Sequence, residues 1–355
     1  MNSLLIRSLV ASGLAIATAF AHGSTLLVPE QHATVQAAID AAQPGDTVLV
    51  SPGVYRESLQ IEKPLTLRST QGAETTTLDG SGACSVVWVN GTGTEEVTIS
   101  GFKITKAYGT IWDSNGLRCG FGGGLVLDAA IVTVSDNIIT GNSSCYGSGL
   151  SSNSLSFIHH NQIKDNIQAA DCQGAGDGGG IFLNSDIFNA RASVISDNII
   201  SGHRVAANGG GIEVHGAKVR ITGNVIRDNQ AGYSGGGINV SRGIVDISRN
   251  EIVGNSLTGQ LTSTSGGGIN AIVIDVIDRA RITENRFEGN KADKGSAATL
   301  YGFYEENVRF NRNLVRGRTA AALVECESWA YVVRHNLMNN PLGNEVGGTC
   351  IVDNR

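Results

Sequence analysis

"YSGGGINVSRGIVDISRNEIVGN", residues 233–255, joins three adjacent glycines to a run of alternating apolar and polar residues and closes on two asparagines five apart. Glycine loses more freedom on folding than any other residue, so a triplet needs a geometric reason. The phrase recurs as "FGGGLVLDAAIVTVSDNIITGN" from Phe121, "DGGGIFLNSDIFNARASVISDNIISGH" from Asp177, "NGGGIEVHGAKVRITGNVIRDN" from Asn208 and "SGGGINAIVIDVIDRARITENRFEGN" from Ser265. Weaker copies begin at Gly147 and Gly295. Such recurrence marks a repeat architecture, in which each unit buries its apolar face only against its neighbours.

Asn198, Asn224 and Asn250 lie 26 residues apart; Asn137, Asn161, Asn285, Asn313 and Asn336 mark the same place after insertions of varied length. A second mark follows five residues later at Asn142, Asn166, Asn229, Asn255 and Asn290, with His203 in the equivalent position. Around these marks the apolar residues alternate with period two (Val219, Ile221; Val245, Ile247), which argues strand. A unit of about 26 residues fits three short strands, each ended by a bend. Stacking the units sets every strand beside its copy, and the expected fold is all-β: a parallel β-helix with three parallel sheets around one apolar column. The asparagines then stack at one bend, where a short polar side chain tolerates unusual φ/ψ and bonds to backbone. The triplets fall where the chain turns into a strand and a Cβ would strike the adjoining coil. "GAGDGG" at 174–179 matches GxGxxG but lacks the flanking strand and helix of a dinucleotide fingerprint.

The one predicted helix spans residues 34–42, "TVQAAIDAA", with Thr34 as N-cap and Val35, Ala38, Ile39 and Ala42 on one face. Laid over the first coil it would cap the apolar column, and "TVLVSPGVYRESLQIEKPLTL" would start the sheets. "EVGGTCIVDNR" reads as a last partial coil. Residues 1–21 carry the marks of a secretory signal, with Arg7 before an apolar run and Ala19-Phe20-Ala21 as cleavage site. Residues 22–355 then form a single domain, expected to be secreted or periplasmic and monomeric, with no membrane span. The net charge of −6 and the lack of an evident basic stripe argue against a nucleic-acid partner.

"TVQAAIDAAQPGDTVLVSPGVYRESLQIEKPLTLRS", "VTISGFKIT" and the glycine–asparagine coils together resemble the pectin-lyase-like superfamily over residues 34–353. That resemblance implies a right-handed β-helix, and in characterised relatives the glycine-led sheet forms the polysaccharide groove. It does not imply one activity, because the fold hosts many. The pectate lyase "WiDH" and RxPxxR stretches are missing, and of the polygalacturonase motifs only "GHR" at 202–204 and "RIT" at 220–222 and 281–283 come near. The resemblance is closest to uncharacterised members and supplies no catalytic residue.

In "GGGIxVx" the Ile and Val face inward, so the x positions face out. One outward file reads Trp88, Val126, Ser151, Phe182, Glu213, Asn239, Asn270, Thr299; the next reads Asn90, Asp128, Asn153, Asn184, His215, Ser241, Tyr301. Amides, acids and exposed aromatics suit sugar hydroxyls and ring faces. Glu213 and His215, two apart on one strand, are the candidate proton-transfer pair. Trp88, Asp128, Asn153, Phe182, Asn184, Asn239, Asn270 and Tyr301 are the candidate substrate contacts, against the plainer possibility of a polar outer sheet. Loop aromatics Tyr108, Trp112, Phe121, Tyr146 and Tyr233 would stack on sugars or pin their own loops. No cofactor is expected; calcium, which several relatives bind, would need Asp165, Asp171, Asp177 and Asp186, otherwise solvated. His159, His160 and His335 precede ladder asparagines and read as turn residues.

The six cysteines suit an oxidising compartment. Neighbouring coils lie about 4.8 Å apart, within bridging range, so the expected pairs are Cys84–Cys119, Cys145–Cys172 and Cys326–Cys350, with Cys119–Cys145 as competitor. Two functions remain open: a secreted β-helix that binds polysaccharide or cleaves an acidic one by elimination or hydrolysis, and a non-catalytic envelope or surface protein for adhesion.

Overall fold

The structure is a computed structural model that describes residues 23–353 except 92, 110–118, 173–175, 185–190, 260–263, 305–306, 318–320, 329, 334–336 and 339–344. The expected signal segment 1–21, together with Trp112, Asp186, His335 and Asn336, lies outside the described residues.

Alternation dictates strands, and the strands pair in parallel with their copies throughout. Among the described residues the larger sheet has 22 strands and the other large one 11, with two further two-stranded pairs. The larger sheet carries two ladders of pairing, fused where Ile212–Thr222 and Ile238–Ser248 run unbroken from one into the other. Inward side chains form three vertical files: Ile181, Ile212, Ile238, Ile269, Ala298; Ile195, Ile221, Ile247, Ile282, Phe310; and Ile200, Ile226, Ile252, Phe287, Val315. All are buried in one continuous core. This is a parallel β-helix.

The asparagines hold the coils in register. Asn198 donates its backbone N–H to Asn224 Oδ1 at 2.9 Å and its Nδ2 to the same oxygen at 3.0 Å; Asn224 does likewise to Asn250. The row runs from Asn137 through Asn161 to Asn313, although successive members are separated by anything from 24 to 37 residues. The coil is therefore not a fixed 26-mer. A second row runs Asn142, Asn166, His203, Asn229, Asn255, Asn290. The left-handed backbone expected of the asparagines belongs instead to the residue before each: φ is +57° at Asp197, +55° at Arg249, +58° at Glu284 and +56° at His160. That turn aims the amide inward, where it replaces the bonds of backbone groups sealed from water.

The triplets meet the same constraint. Gly209 has φ +61°, and a Cβ on Gly211 would lie 2.6 Å from Gly237 O and 3.0 Å from Asn229 Nδ2. Only a residue without Cβ lets a turn press this closely on the coil beside it.

The helix α1 spans Val35–Ala41, capped by Thr34, whose Oγ1 accepts from Ala37 N–H at 3.1 Å. The Glu57 carboxylate accepts from the free N–H groups of Val35 and Gln36, both at 2.9 Å, a contact 21 and 22 residues distant that local pattern does not reveal. Val35, Ala38 and Ile39 are buried, and α1 packs on Thr25–Val28, Asp46–Val50 and Leu59–Ile61. The sheets begin earlier than expected: Thr25–Val28, before the helix, pairs in parallel with Asp46–Val50. At the other end Val346–Gly348 and Ile351–Asp353 pair with Val324–Cys326 and Ala330–Val333 as a closing partial coil.

All three expected disulfides form: Cys84–Cys119, Cys145–Cys172 and Cys326–Cys350, with Cα–Cα distances of 5.0, 5.4 and 5.0 Å. Cys119–Cys145 is thereby overturned as a pairing.

Candidate functional site

The first outward file stacks in the expected order, Trp88 beside Val126, then Ser151, Phe182, Glu213, Asn239, Asn270 and Thr299. In the second, Asn90 pairs with Asp128, and His215 leads through Ser241 and Ile272 to Tyr301. Facing outward is not the same as facing water. Phe182 is 7% exposed and Glu213 3%, and Asn239 and Asn270 are equally buried, so these four are not open contacts as the alternation implied.

What covers them is a row the strand pattern does not contain. The residue before each glycine triplet also stacks: Phe121 on Tyr146, Tyr146 on Asp177, Asp177 on Asn208, then Ser234, Ser265 and Lys294. The positive-φ glycine folds this row back over the file. Tyr146 stacks on Phe121 (centroids 4.9 Å apart) and tilts over Phe182 (5.5 Å). The signal was in the sequence as the position preceding "GGG" or its variants "GSG" and "GSA", which reads F, Y, D, N, S, S, K.

Beneath this row an amide relay ends on a carboxyl group. Asn270 Nδ2 donates to Asn239 Oδ1 at 2.7 Å, and Asn239 Nδ2 donates to Glu213 Oε1 at 3.0 Å. Glu213 Oε2 is buried with no hydrogen-bond partner among the described residues. Burial, and secondarily the charge of Asp177, push the Glu213 carboxyl well above the usual carboxylate range, against the pull of Asn239. Asp177 is itself raised by burial, offset by bonds from Asn208 N–H at 2.9 Å and Nδ2 at 3.1 Å and by the nearby His215. His215 is exposed beside this covered pair. Glu213 and His215 lie two apart on one strand, as expected, but the carboxyl that His215 pulls down is that of Asp177, a residue the sequence alone offers only as a calcium candidate.

An open groove of ≈ 560 Å³ begins one coil away at Asn184 and reaches Trp88, four coils and about 19 Å along the stack from Glu213. Trp88, 39% exposed, donates Nε1–H to Asp128 Oδ2 at 3.1 Å, and Asn153 Nδ2 donates to Asp128 Oδ1 at 2.9 Å. Asn184 and Phe121 complete the wall. The structure thus brings Trp88, Asp128, Asn153 and Asn184 together and leaves Tyr301, half-buried and three coils past His215, apart from both clusters.

Tyr108 and Tyr233 are exposed, and Tyr108 Oη donates to Asp171 Oδ2 at 3.4 Å. Among the described residues no three His, Cys, Asp or Glu side chains gather as a metal site, so Asp165, Asp171 and Asp177 do not converge. His160 takes the turn conformation expected of it, with His159 Nδ1 at 2.9 Å from its own Nδ1. No helix among the described residues is long and apolar enough to cross a membrane.

No family profile matches this chain, and no curated protein matches it. Among solved structures it is similar to the alginate lyase from Paenibacillus sp. str. FPU-7, at 19% identity over 89% of this chain and 95% of that one, with a TM-score of 0.49. No residue of this chain takes a role from that likeness; the chain's own strand pairing and amide rows are what make it a parallel β-helix.

Proposed function

We propose that this protein is an extracytoplasmic polysaccharide-binding β-helix that lays an extended glycan along the file from Asn90 to His215 and transfers protons at Glu213, Asp177 and His215. The groove offers an indole face for a sugar ring, with amides and a fixed carboxylate for its hydroxyls. The observation that carries the catalytic part is Glu213: a buried carboxyl with one oxygen unpartnered among the described residues, its pKa raised well above the usual carboxylate range by burial, beside an ionisable Asp177. Pairs of groups with displaced pKa values serve as acid and base. In this reading His215, which is open to solvent, accepts the proton from the sugar or from water, and Glu213 supplies one to the departing glycosidic oxygen by way of the half-buried Asp177. Elimination at a uronate and hydrolysis both require that pairing.

The burial of Glu213 favours a second reading, in which the carboxyl only ends the amide relay and the protein is a non-catalytic surface β-helix. Incubating the mature protein with pectate, alginate and chondroitin, with and without calcium, separates the two. Unsaturated or reducing ends that vanish in Glu213→Gln and His215→Ala support catalysis. No product from any substrate, with glycan binding untouched in both variants, leaves the second reading.

Three disulfides support placement outside the cytoplasm. The same proposal takes residues 1–21 as a cleaved signal and 22–355 as one right-handed, three-sheet monomeric domain. N-terminal sequencing of the exported protein and its elution volume test those points.

A further inference from the structure

The face of the larger sheet that follows the glycine-led one carries a charge pattern invisible along the chain. Arg220 pairs in register with Asp246, Asp246 with Arg281, and Arg281 with Arg309, while Lys218, Ile244 and Arg279 form the neighbouring file. Linear reading finds no basic stripe because these cations come from three coils scattered over residues 218–309. Val219, Ile221, Val245, Ile247, Ala280 and Ile282 are buried between them, so the charged side chains project outward. They surround a shallow concavity of ≈ 220 Å³, where among the described lining residues Asp246 is the sole acid against Lys218, Arg220, Arg279 and Arg281.

Like charges on adjacent strands of one face repel. Arg220, Arg279 and Arg281 are exposed and form no ion pair with any described residue, on a protein whose net charge is −6. Guanidinium groups in a fixed array match planar carboxylates and other oxyanions by paired N–H donation. Rigid strands hold Arg281 and Arg309 on adjacent coils and Arg220 two coils before Arg281, so a chain carrying several anions meets forks at fixed separations. We infer that this face is a second binding surface, separate from the groove and independent of its proposed function, which takes the carboxylate or sulfate groups of an anionic polysaccharide. The disulfides favour an extracellular glycan over nucleic acid as the polyanion.

Titration calorimetry of the mature protein with polygalacturonate, dextran sulfate, uncharged dextran and duplex DNA tests this. The expected result is binding to one or both anionic glycans that weakens as salt rises, with none to dextran. Combining Arg220→Ser, Arg279→Ser and Arg281→Ser is expected to weaken it at least about tenfold, since each lost charge-assisted bond carries about that factor. Asp246→Asn, which keeps the arginines and removes the acid, is expected to tighten it, and Lys103→Ser, which removes an exposed cation from the 11-stranded sheet, to leave it unchanged. Equal binding by the triple variant, no gain in Asp246→Asn, or DNA bound more tightly than either glycan would each overturn the inference.

Discussion

His203 occupies a rung that asparagine fills elsewhere in its row. Its Nδ1 accepts from Asn166 N–H at 3.2 Å, and Nε2 lies 3.0 Å from Ile163 O, so the ring fits as the neutral tautomer protonated on Nε2. Full burial lowers its pKa from 6.5 to about 4. Above pH 6.5 the ring is neutral folded or unfolded and contributes nothing to pH dependence. Between 6.5 and about 4 the unfolded chain takes a proton that the folded ring refuses, so stability falls with pH, by about 3 kcal/mol in all. His203→Asn is expected to remove this acid sensitivity, read as melting temperatures at pH 7 and 4.5. Glu213 acts in the opposite direction. Its raised pKa means that the unfolded chain releases a proton the folded one keeps as pH climbs past about 4.5. Glu213→Gln is therefore expected to raise the melting temperature at neutral and alkaline pH, with the gain vanishing near pH 4.

The bend carries the stability of the repeat at the scale of an element. Asn224 Nδ2 serves Ile195 O, Thr222 O and Asn250 Oδ1, while its own Oδ1 accepts twice from Asn198. Asn224→Ala strands several of these groups away from water and is expected to cost about 2–6 kcal/mol, measurable by denaturant unfolding. Arg249, held at φ +55°, is expected to yield the reverse: Arg249→Gly relieves a left-handed backbone and adds about 0.5–1 kcal/mol. The asparagine marks and glycine triplets made this bend legible in sequence because each reports a constraint repeated coil after coil. Which residue takes the positive φ was not legible, since the position is filled by acids at Asp197 and Glu284 but by a base at Arg249. Only the backbone turn unites them. The Glu57 bond to the start of α1 escaped for another reason: it crosses a coil.

A stack lacks the single centre of a globular core, so the whole molecule responds to damage locally. Replacing Cys326 and Cys350 by serine is expected to open the last coil, seen as faster hydrogen exchange from Val324 onward, while Ile212–Leu257 keeps its protection. Period-two alternation makes the stacking order of the outward files legible, because inward and outward follow from strand geometry alone. It failed on exposure, because Tyr146 and Asp177 reach over the sheet from turns that alternation does not describe. The arginine face was hidden by the same separation between distance in sequence and distance in space.

Between Asn137 and Asn313 the two polar rows make the junctions between coils chemically alike, and this has a genetic corollary. Excising residues 198–223 would join Asp197 to Asn224, presenting to Asn161 the same acceptor that Asn198 offered and replacing His203 with Asn229 beside Asn166. A gene shortened by those codons is expected to yield a soluble protein one turn shorter that melts cooperatively yet lacks Glu213 and His215. Duplication of the same segment would lengthen it with equal ease. Unequal crossing-over between such segments can therefore tailor the reach of the protein to its target without inventing new sequence.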